Sequence, residues 1–465
     1  MSVLPGSVRR SLHHADSSTN GFSPPPADLI RVGSRRWFLQ TGVAGMASLA
    51  APSLLAARAP TAGSGQSGKD RKAVILIWLS GGPSHLDMWD PKPNAPVEIR
   101  SPFATLPTRL PGVNFTEHLP LQASIADKLT VVRSVDCSAS NHTPITMQAG
   151  NPLARRTDDG RDGAGYPSMG SISARFRGPN DPDLPAFIGL APSWAADVYG
   201  AGNLGSRFEP VKGLELADKF ALPAGIAASR LADRRDLRKQ FDRMRYQLDR
   251  GATMEQYDRY SQQATEMVLS GKVQSAFDLH AERDRTRDEY GRTSVGEKAL
   301  LARRLVEAGV TFVLISGKWG YFDHHGDNVQ WGGIVKGLKP ILPDVDRALF
   351  ALITDLEQRG MLADTLVITM GEFGRSPVIN KEAGRDHWTA VMSLVLSGGG
   401  FQHGRVIGST DSRGGEIASQ PVRPQDLAAT TYRHLGIDLG AHWTNSQGRP
   451  IPIVVEAGKP LQELA

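Results

Sequence analysis

Residues 73–79 read Ala-Val-Ile-Leu-Ile-Trp-Leu and stop at Ser80-Gly81-Gly82-Pro83. A short run that is apolar at every position and closed by turn residues predicts a strand buried on both faces of a parallel sheet. Comparable runs recur at residues 129–135, 311–316, 365–370 and 391–396. Helical spacing precedes several of them. Residues 297–309 end in Ala308-Gly309 just before a strand, and residues 343–360 set Leu349, Ile353 and Leu356 on one face before closing at Arg359-Gly360, a C-cap pattern. Helices alternating with apolar strands predict an α/β fold, a doubly wound and mostly parallel sheet between helices.

Two stretches break this pattern. Residues 218–300 are dense in Arg, Asp, Glu, Gln and Met. They predict two or three amphipathic helices inserted as a cap or side lobe. The signs of their charges alternate, as on a solvated helical face rather than a nucleic-acid surface. The other stretch lies at the start. Ser34-Arg35-Arg36-Trp37-Phe38-Leu39 precedes a mildly apolar run over residues 41–57, rich in Ala, Gly and Leu. An arginine pair before such a run has the form of a twin-arginine export signal. The run holds Gly42, Gly45 and Pro52 and is short of the ~20 apolar residues of a stable span. Ala57-Arg58-Ala59 resembles a cleavage site, although Pro60 follows it. The expected organisation is a signal region over 1–59, a flexible linker over 60–70, and one domain over 71–465 that carries the helical insertion. The implied partner is the twin-arginine export machinery. The implied location is the periplasm or beyond, with no stable membrane span after cleavage.

Charge alters the picture little. The 465-residue chain has a net charge of +5. Arg9, Arg10, Arg31, Arg35, Arg36 and Arg58, against Asp16 and Asp28, place most of that excess in the signal region. The remainder is nearly balanced, which argues against a charge-driven nucleic-acid or anionic-membrane role. The single cysteine, Cys137, cannot form an internal disulfide and reads as a small buried residue.

Polar clusters fall at the predicted strand ends, where ligands of open α/β sheets bind. His85, Asp87 and Asp90 follow the first run. Asn141, His142 and Thr143 follow the second. Asp323, His324, His325 and Asp327 follow the third, and Glu372 and Arg375 the fourth. Asp386 and His387 stand just before the fifth. Imidazole with carboxylate suits Zn, Mn or Fe, and carboxylate-rich sets suit Ca or Mg. One or two such ions could clamp the oxygens of an ester displacement, with Arg375 forking onto phosphate or sulfate. His13, His14, His118, His280, His403, His434 and His442 lack such company.

The segments GGPSHLDMWDPKP, NHTPITMQAG, FDHHGDN, GEFGRSPVIN and GRDHW, in this order after a twin-arginine signal, resemble the secreted bacterial family called domain of unknown function 1501. That family is similar to the alkaline phosphatase and sulfatase superfamily. The resemblance covers nearly all of residues 70–440, and residues 423–438 resemble the closing helix of sulfatase-like chains. It implies an alkaline phosphatase-like sheet with metals at the strand ends. By that resemblance Asp323 and His325 look like the superfamily's Asp/His metal pair, with shorter spacing. Glu372 takes the place of the Asp in a later Asp-His pair, and Phe373 stands where the His would be. Asp386 and His387 resemble the late His ligand. His85 and Asp87 replace the Asp usually found straight after the first strand. His142 and Thr143 fall where the nucleophile is kept, which makes Thr143 the hydroxyl candidate.

Residues 137–141 (CSASN) lack the Pro and Arg of the formylglycine motif, so formylglycine sulfatase chemistry is not expected. The expected function is an exported metal-dependent hydrolase of phosphate or sulfate esters, acting on a small-molecule or glycan substrate. Two alternatives remain: a non-catalytic exported module of the same fold that binds an anionic glycan or a protein, and a phosphotransfer enzyme with a phosphothreonine at Thr143.

Overall fold

The computed structural model describes residues 71–155, 162–192, 197–212, 271–317 and 320–464. The expected signal region, the linker and residues 218–270 of the helical segment lie outside the described residues. Among the described residues no helix is long and apolar enough to cross a membrane.

Eight strands form the central sheet: β1 (Ala73–Trp78), β2 (Thr130–Val135), β3 (Phe187–Leu190), β4 (Val211–Lys212), β5 (Phe312–Ser316), β6 (Thr365–Met370), β7 (Met392–Gly398) and β8 (Arg405–Ile407). Their order across the sheet is β8-β2-β7-β6-β1-β5-β3-β4. β1 pairs in parallel with β5 and β6, so it lies at the centre. Within this sheet β7 alone runs against its neighbours. The five expected strands are all present. β3, β4 and β8 are additions, too short to carry a pattern of their own.

Period-two alternation explains why β1 is apolar throughout. Ile75 and Ile77 enter one core with α2 (Ser294–Ala308) and α3 (Lys339–Gln358). Val74, Leu76 and Trp78 enter another with α1 (Met169–Phe176) and α4 (Pro424–His434). Helices cover both faces, and the fold is the expected doubly wound, mostly parallel α/β sheet. α2 is capped by the Thr293 hydroxyl, which accepts from the Gly296 N–H, and it ends at Gly309 with φ 125°. α3 starts at Lys339, earlier than Pro343 suggested. A π turn over Ile334–Leu338 leads directly into it, and Pro343 is tolerated inside its first turns.

Residues 271–300, expected in the inserted lobe, belong to the main body. Val273, Phe277 and Tyr290 are buried in the core with α2 and α3, as are Val295 and Ala299 of α2 itself. Behind them Arg303 is fully buried between Glu282, Glu307 and Asp355, which accounts for part of the charge density there.

The strand directions position the site. The parallel strands end along one edge of the sheet, and residues that follow β1, β2, β5 and β6 gather there. β7 runs the other way, so the segment that precedes it returns to the same edge.

Candidate metal centre

His142, Asp323 and His387 come together at this edge, with one ligand atom from each lying within 4.8 Å of the others. They arrive from three places: the loop after β2, the loop after β5, and a two-residue ribbon ahead of β7. In that ribbon His387–Trp388 pairs antiparallel with Gly374–Arg375. Asp323 Oδ1 is the hub. It lies 3.0 Å from His325 Nε2, 3.1 Å from His387 Nε2 and 2.5 Å from Arg375 Nη2. The two Nε2 atoms are themselves 2.9 Å apart. His142 Nε2 lies 3.6 Å from Asp323 Oδ2, and its Nδ1 lies 3.0 Å from Glu372 Oε1.

The polypeptide around the hub is tightly tied. The Gly81 N–H donates to Glu372 Oε1 at 2.8 Å. Gly81 has φ +111°, and a Cβ there would sit 2.5 Å from the Asp323 nitrogen. Gly82 has φ +87°, and its Cβ would collide with the Phe373 ring at 2.6 Å. Two glycines therefore let the β1 loop touch both neighbouring strand ends. Phe373, buried against Gly82, places its ring 4.5 Å from that of His387 and 5.5 Å from that of His142. Where the superfamily resemblance leads one to expect a ligand, this chain has an apolar floor under two imidazoles.

Electrostatics follow from this geometry. Burial lowers the His142 pKa, but Asp323 and Glu372 more than reverse that effect and hold it at about 9. Burial likewise opposes ionisation of Asp323, and His142, His387 and Arg375 drive its carboxyl well below the usual range. Burial lowers His387, with Arg375, His142 and His325 adding like charge. Elsewhere in the protein Asp197 is raised by burial to about 6, and Lys298 is lowered by burial to about 8.

Some expected site residues have other parts. Arg375 is 1% exposed, and the chain itself supplies its acceptors: the carbonyls of Gly81, Gly82, Phe322 and Arg385, together with Asp323. It clamps the hub, and its Nη1 also lies 3.4 Å from His325 Nε2, so its donors are engaged by the chain's own groups rather than left free for the expected oxyanion contact. Asp87 is fully buried, bonded to Arg385 at 2.7 and 3.1 Å and to the Ser84 hydroxyl at 2.5 Å. Its carboxylate is already neutralised and lies outside the ligand group. His85 Nε2 lies 2.8 Å from the Gly414 carbonyl oxygen, and that ring also lies outside the group. Asp386 is exposed and stands behind His325, 3.5 Å from its Nδ1, with the Asn380 amide donating to the same oxygen at 3.1 Å. That is the place of a carboxylate that orients a ligating imidazole. Thr143 Oγ1 donates to Asn141 Oδ1 at 2.6 Å. His324 turns away, with Nδ1 2.9 Å from the Trp331 carbonyl oxygen. Asp327 braces its own loop by accepting from the Gly333 N–H at 3.0 Å.

Asn380, Asp197 and Lys298 had no signal in the sequence, because a lone Asn in a loop or a lone Lys on a helix has none. The two glycines were visible only as a turn.

The chain matches the family described as "Protein of unknown function (DUF1501)" over residues 71–465. It belongs to that family. Among solved structures it is similar to a sulfatase from Pseudoalteromonas sp., at 11% identity and a TM-score of 0.35, covering 79% of this chain and 68% of that one. It is also similar to a phosphonate monoester hydrolase from Silicibacter pomeroyi, at 10% identity and a TM-score of 0.36, covering 84% and 76%. The TAB5 alkaline phosphatase is similar at 11% identity and a TM-score of 0.34, covering 80% and 99%. No curated protein matches the sequence.

Proposed function

We propose that this DUF1501 chain is an exported, metal-dependent hydrolase of phosphate or sulfate esters. The observation that carries the reading is the convergence of His142, Asp323 and His387 to within 4.8 Å, with His325 and Glu372 beside them. The donor set fits a divalent ion. Imidazole nitrogens and carboxylate oxygens at one point suit Zn or Mn, and a carboxylate-weighted subset suits Mg or Ca. Glu372 Oε2 is buried without a hydrogen-bond partner, an acceptor that the surrounding protein does not use.

When bound, the ion supplies a Lewis acid and lowers the pKa of the nucleophile beside it. The chain's own residues do the remaining work. His142, Asp323, His325 and His387 would hold the ion, with Glu372 beside His142. Asp386 and Asn380 fix the orientation of His325, and Arg375 locks Asp323 so that its second oxygen faces His142. Phe373 excludes water beneath the imidazoles. Thr143, next to His142, is the hydroxyl nucleophile in this reading, with its Oγ1 oriented by the hydrogen bond to Asn141 Oδ1. The arginine pair at Arg35-Arg36 supports export to the periplasm or beyond.

The test pairs metal analysis with turnover. Purified protein should contain a divalent metal and cleave aryl phosphate or aryl sulfate, and His325→Ala and Asp323→Ala should lose both properties. A metal-free, folded and inactive wild type would sink the proposal. One observation favours a second reading, a binding module without catalysis: the Arg375 guanidinium and the Thr143 hydroxyl are both engaged within the chain. In that case the metal would be present without turnover, and intact-mass analysis would find no phosphothreonine at Thr143.

A further inference from the structure

The loop after β5 carries Asp323 and His325, and each end of it is held from a different element. Its far end is held from β1. The Phe322 N–H donates to the Ser80 carbonyl oxygen at 2.8 Å, and the Gly320 N–H to the Ser80 hydroxyl at 3.4 Å. Its near end is held from a helix. Lys298 of α2 reaches over the end of β5, and its Nζ donates to the carbonyl oxygens of Ser316 at 2.6 Å and Gly317 at 2.9 Å. Those carbonyls stand where β5 leaves the sheet. Lys298 is 4% exposed and is the one buried lysine among the described residues. It forms no ion pair among them, and the two carbonyl oxygens are its bonded partners. An ammonium without a carboxylate partner is costly to bury, and a cation this early in a helix gains nothing from the dipole. Burial has drawn its pKa down to about 8. Ile77, Leu79, Val295 and Ile315 line a cavity of about 10 Å³ beside it. On packing grounds alone an apolar residue of the same length would suit this position better, so the polar head answers to the carbonyls.

We propose that Lys298 is a positioning residue of the candidate metal centre. By gripping the two carbonyl oxygens at the end of β5, it fixes where the loop begins and so sets how Asp323 and His325 approach His142 and His387. The inference rests on the metal-centre reading given above, and it adds a residue that donates to none of the candidate ligands. α2 packs on the sheet through Leu301 and Leu305, in the same core as Val313 and Ile315 of β5. The tether therefore refers the loop to the interior of the fold rather than to other loops. A lysine suits the task, because an ammonium has three donors and serves both carbonyls from one atom.

The test measures Zn²⁺ affinity of the folded chain by competition with a chelator, and urea unfolding of the metal-free protein. Lys298→Met removes the donor and keeps the stem. It should fold, and its Zn²⁺ affinity should drop by about 10- to 100-fold, the usual effect of removing a group that supports metal ligands from behind. Lys298→Arg can again donate to both carbonyl oxygens and should bind Zn²⁺ nearly as wild type does. Leu305→Ala is the control. It opens a cavity further along α2, and it should lower urea stability while leaving Zn²⁺ affinity as it was. For a lysine that only stabilises the fold, Zn²⁺ affinity would instead follow stability across all three variants, and that result would overturn the inference. So would Lys298→Met that binds Zn²⁺ as tightly as wild type, or Lys298→Arg that binds as weakly as Lys298→Met. A Lys298→Met chain that does not fold would overturn it too, because the lysine would then serve the whole body rather than the loop. All of these leave the metal-centre reading standing. A wild type that binds no Zn²⁺ would overturn that reading and this inference with it.

Discussion

Arg375 shows how much a single side chain can be asked to hold. Its guanidinium joins the loop after β1, the loop after β5 and the ribbon ahead of β7, and its partners are four carbonyl oxygens, the Asp323 carboxylate and His325 Nε2. Arg375→Met strands a buried carboxylate and its carbonyls together, and the expected cost is about 3–5 kcal/mol, read from urea unfolding. Arg375→Lys keeps the charge but not the planar fork. It should retain more stability than Arg375→Met while still losing metal, because Asp323 is no longer held in place. Equal stability of Arg375→Met and wild type would refute the clamp.

His324 is a second case, this time of charge refused. Burial holds its pKa at about 4 against the ordinary 6.5, and its Nε2 is buried without a partner. As pH falls below 6.5 the unfolded imidazole takes a proton that the folded one does not take until about 4. Stability should therefore drop across that window by about 3 kcal/mol in total and level off below it. His324→Asn keeps a donor for the Trp331 carbonyl and does not titrate, so its stability should fall less steeply over the same window. Urea midpoints measured at a series of pH values would decide, and parallel curves for the two proteins would contradict the assignment. Cys137 carries the same lesson for a thiol. Burial pushes its pKa up to about 12, so a thiol-specific reagent at mildly alkaline pH should label it only after denaturation.

Among the elements, β1 was legible because both of its faces are buried. Neither the helices nor the neighbouring strands leave a polar position along it, so the run reads as apolar throughout. Leu76 is 1% exposed among Trp78, Leu314 and Ile368, and Leu76→Ala should cost about 2–5 kcal/mol, measured by the same unfolding. β3 is only Phe187–Leu190 and β4 only two residues, too short for periodicity to separate from loop. Nor does an apolar run encode direction, so the reversal of β7 could not be read from it. That reversal is nonetheless what brings His387 to the site. The candidate group was legible because His142, Asp323, His325, Glu372 and His387 are polar residues next to runs that tolerate none. His85 and Asp87 carry the same signal, and what separates them is the partner: Arg385 neutralises Asp87 across 298 positions of sequence. The loop after β1 is read just as incompletely. Gly81-Gly82 signals a turn, while the structure requires both glycines for close approach. Gly81→Ala would push on the Asp323 backbone and should abolish metal binding with the sheet intact, as circular dichroism and metal analysis together would show.

At the scale of the whole molecule, the candidate metal centre lies at the edge of the sheet where the parallel strands end. Its candidate ligands hang from loops after β2, β5 and β6 and from the ribbon before β7, so an ion bound there would add a further tie between segments already joined in part by backbone hydrogen bonds. A ligand that binds the folded state alone stabilises it by RT ln(1 + [L]/Kd), about 4 kcal/mol at a thousandfold excess over Kd. Because one ion spans several loops, that stabilisation should be global and should move a single thermal transition. A chelator should lower the Tm of the purified protein, and readdition of Zn²⁺ or Mn²⁺ should restore it. His387→Ala should show a Tm that ignores both treatments, since it removes an exposed candidate ligand and leaves the cores untouched. The comparison separates two roles for the cluster. If the histidines and carboxylates are only a hydrogen-bonded knot, chelator has nothing to remove, and the wild type will melt at the same temperature with and without it. If they hold an ion, wild type and variant diverge only when metal is present and coincide once it has been stripped.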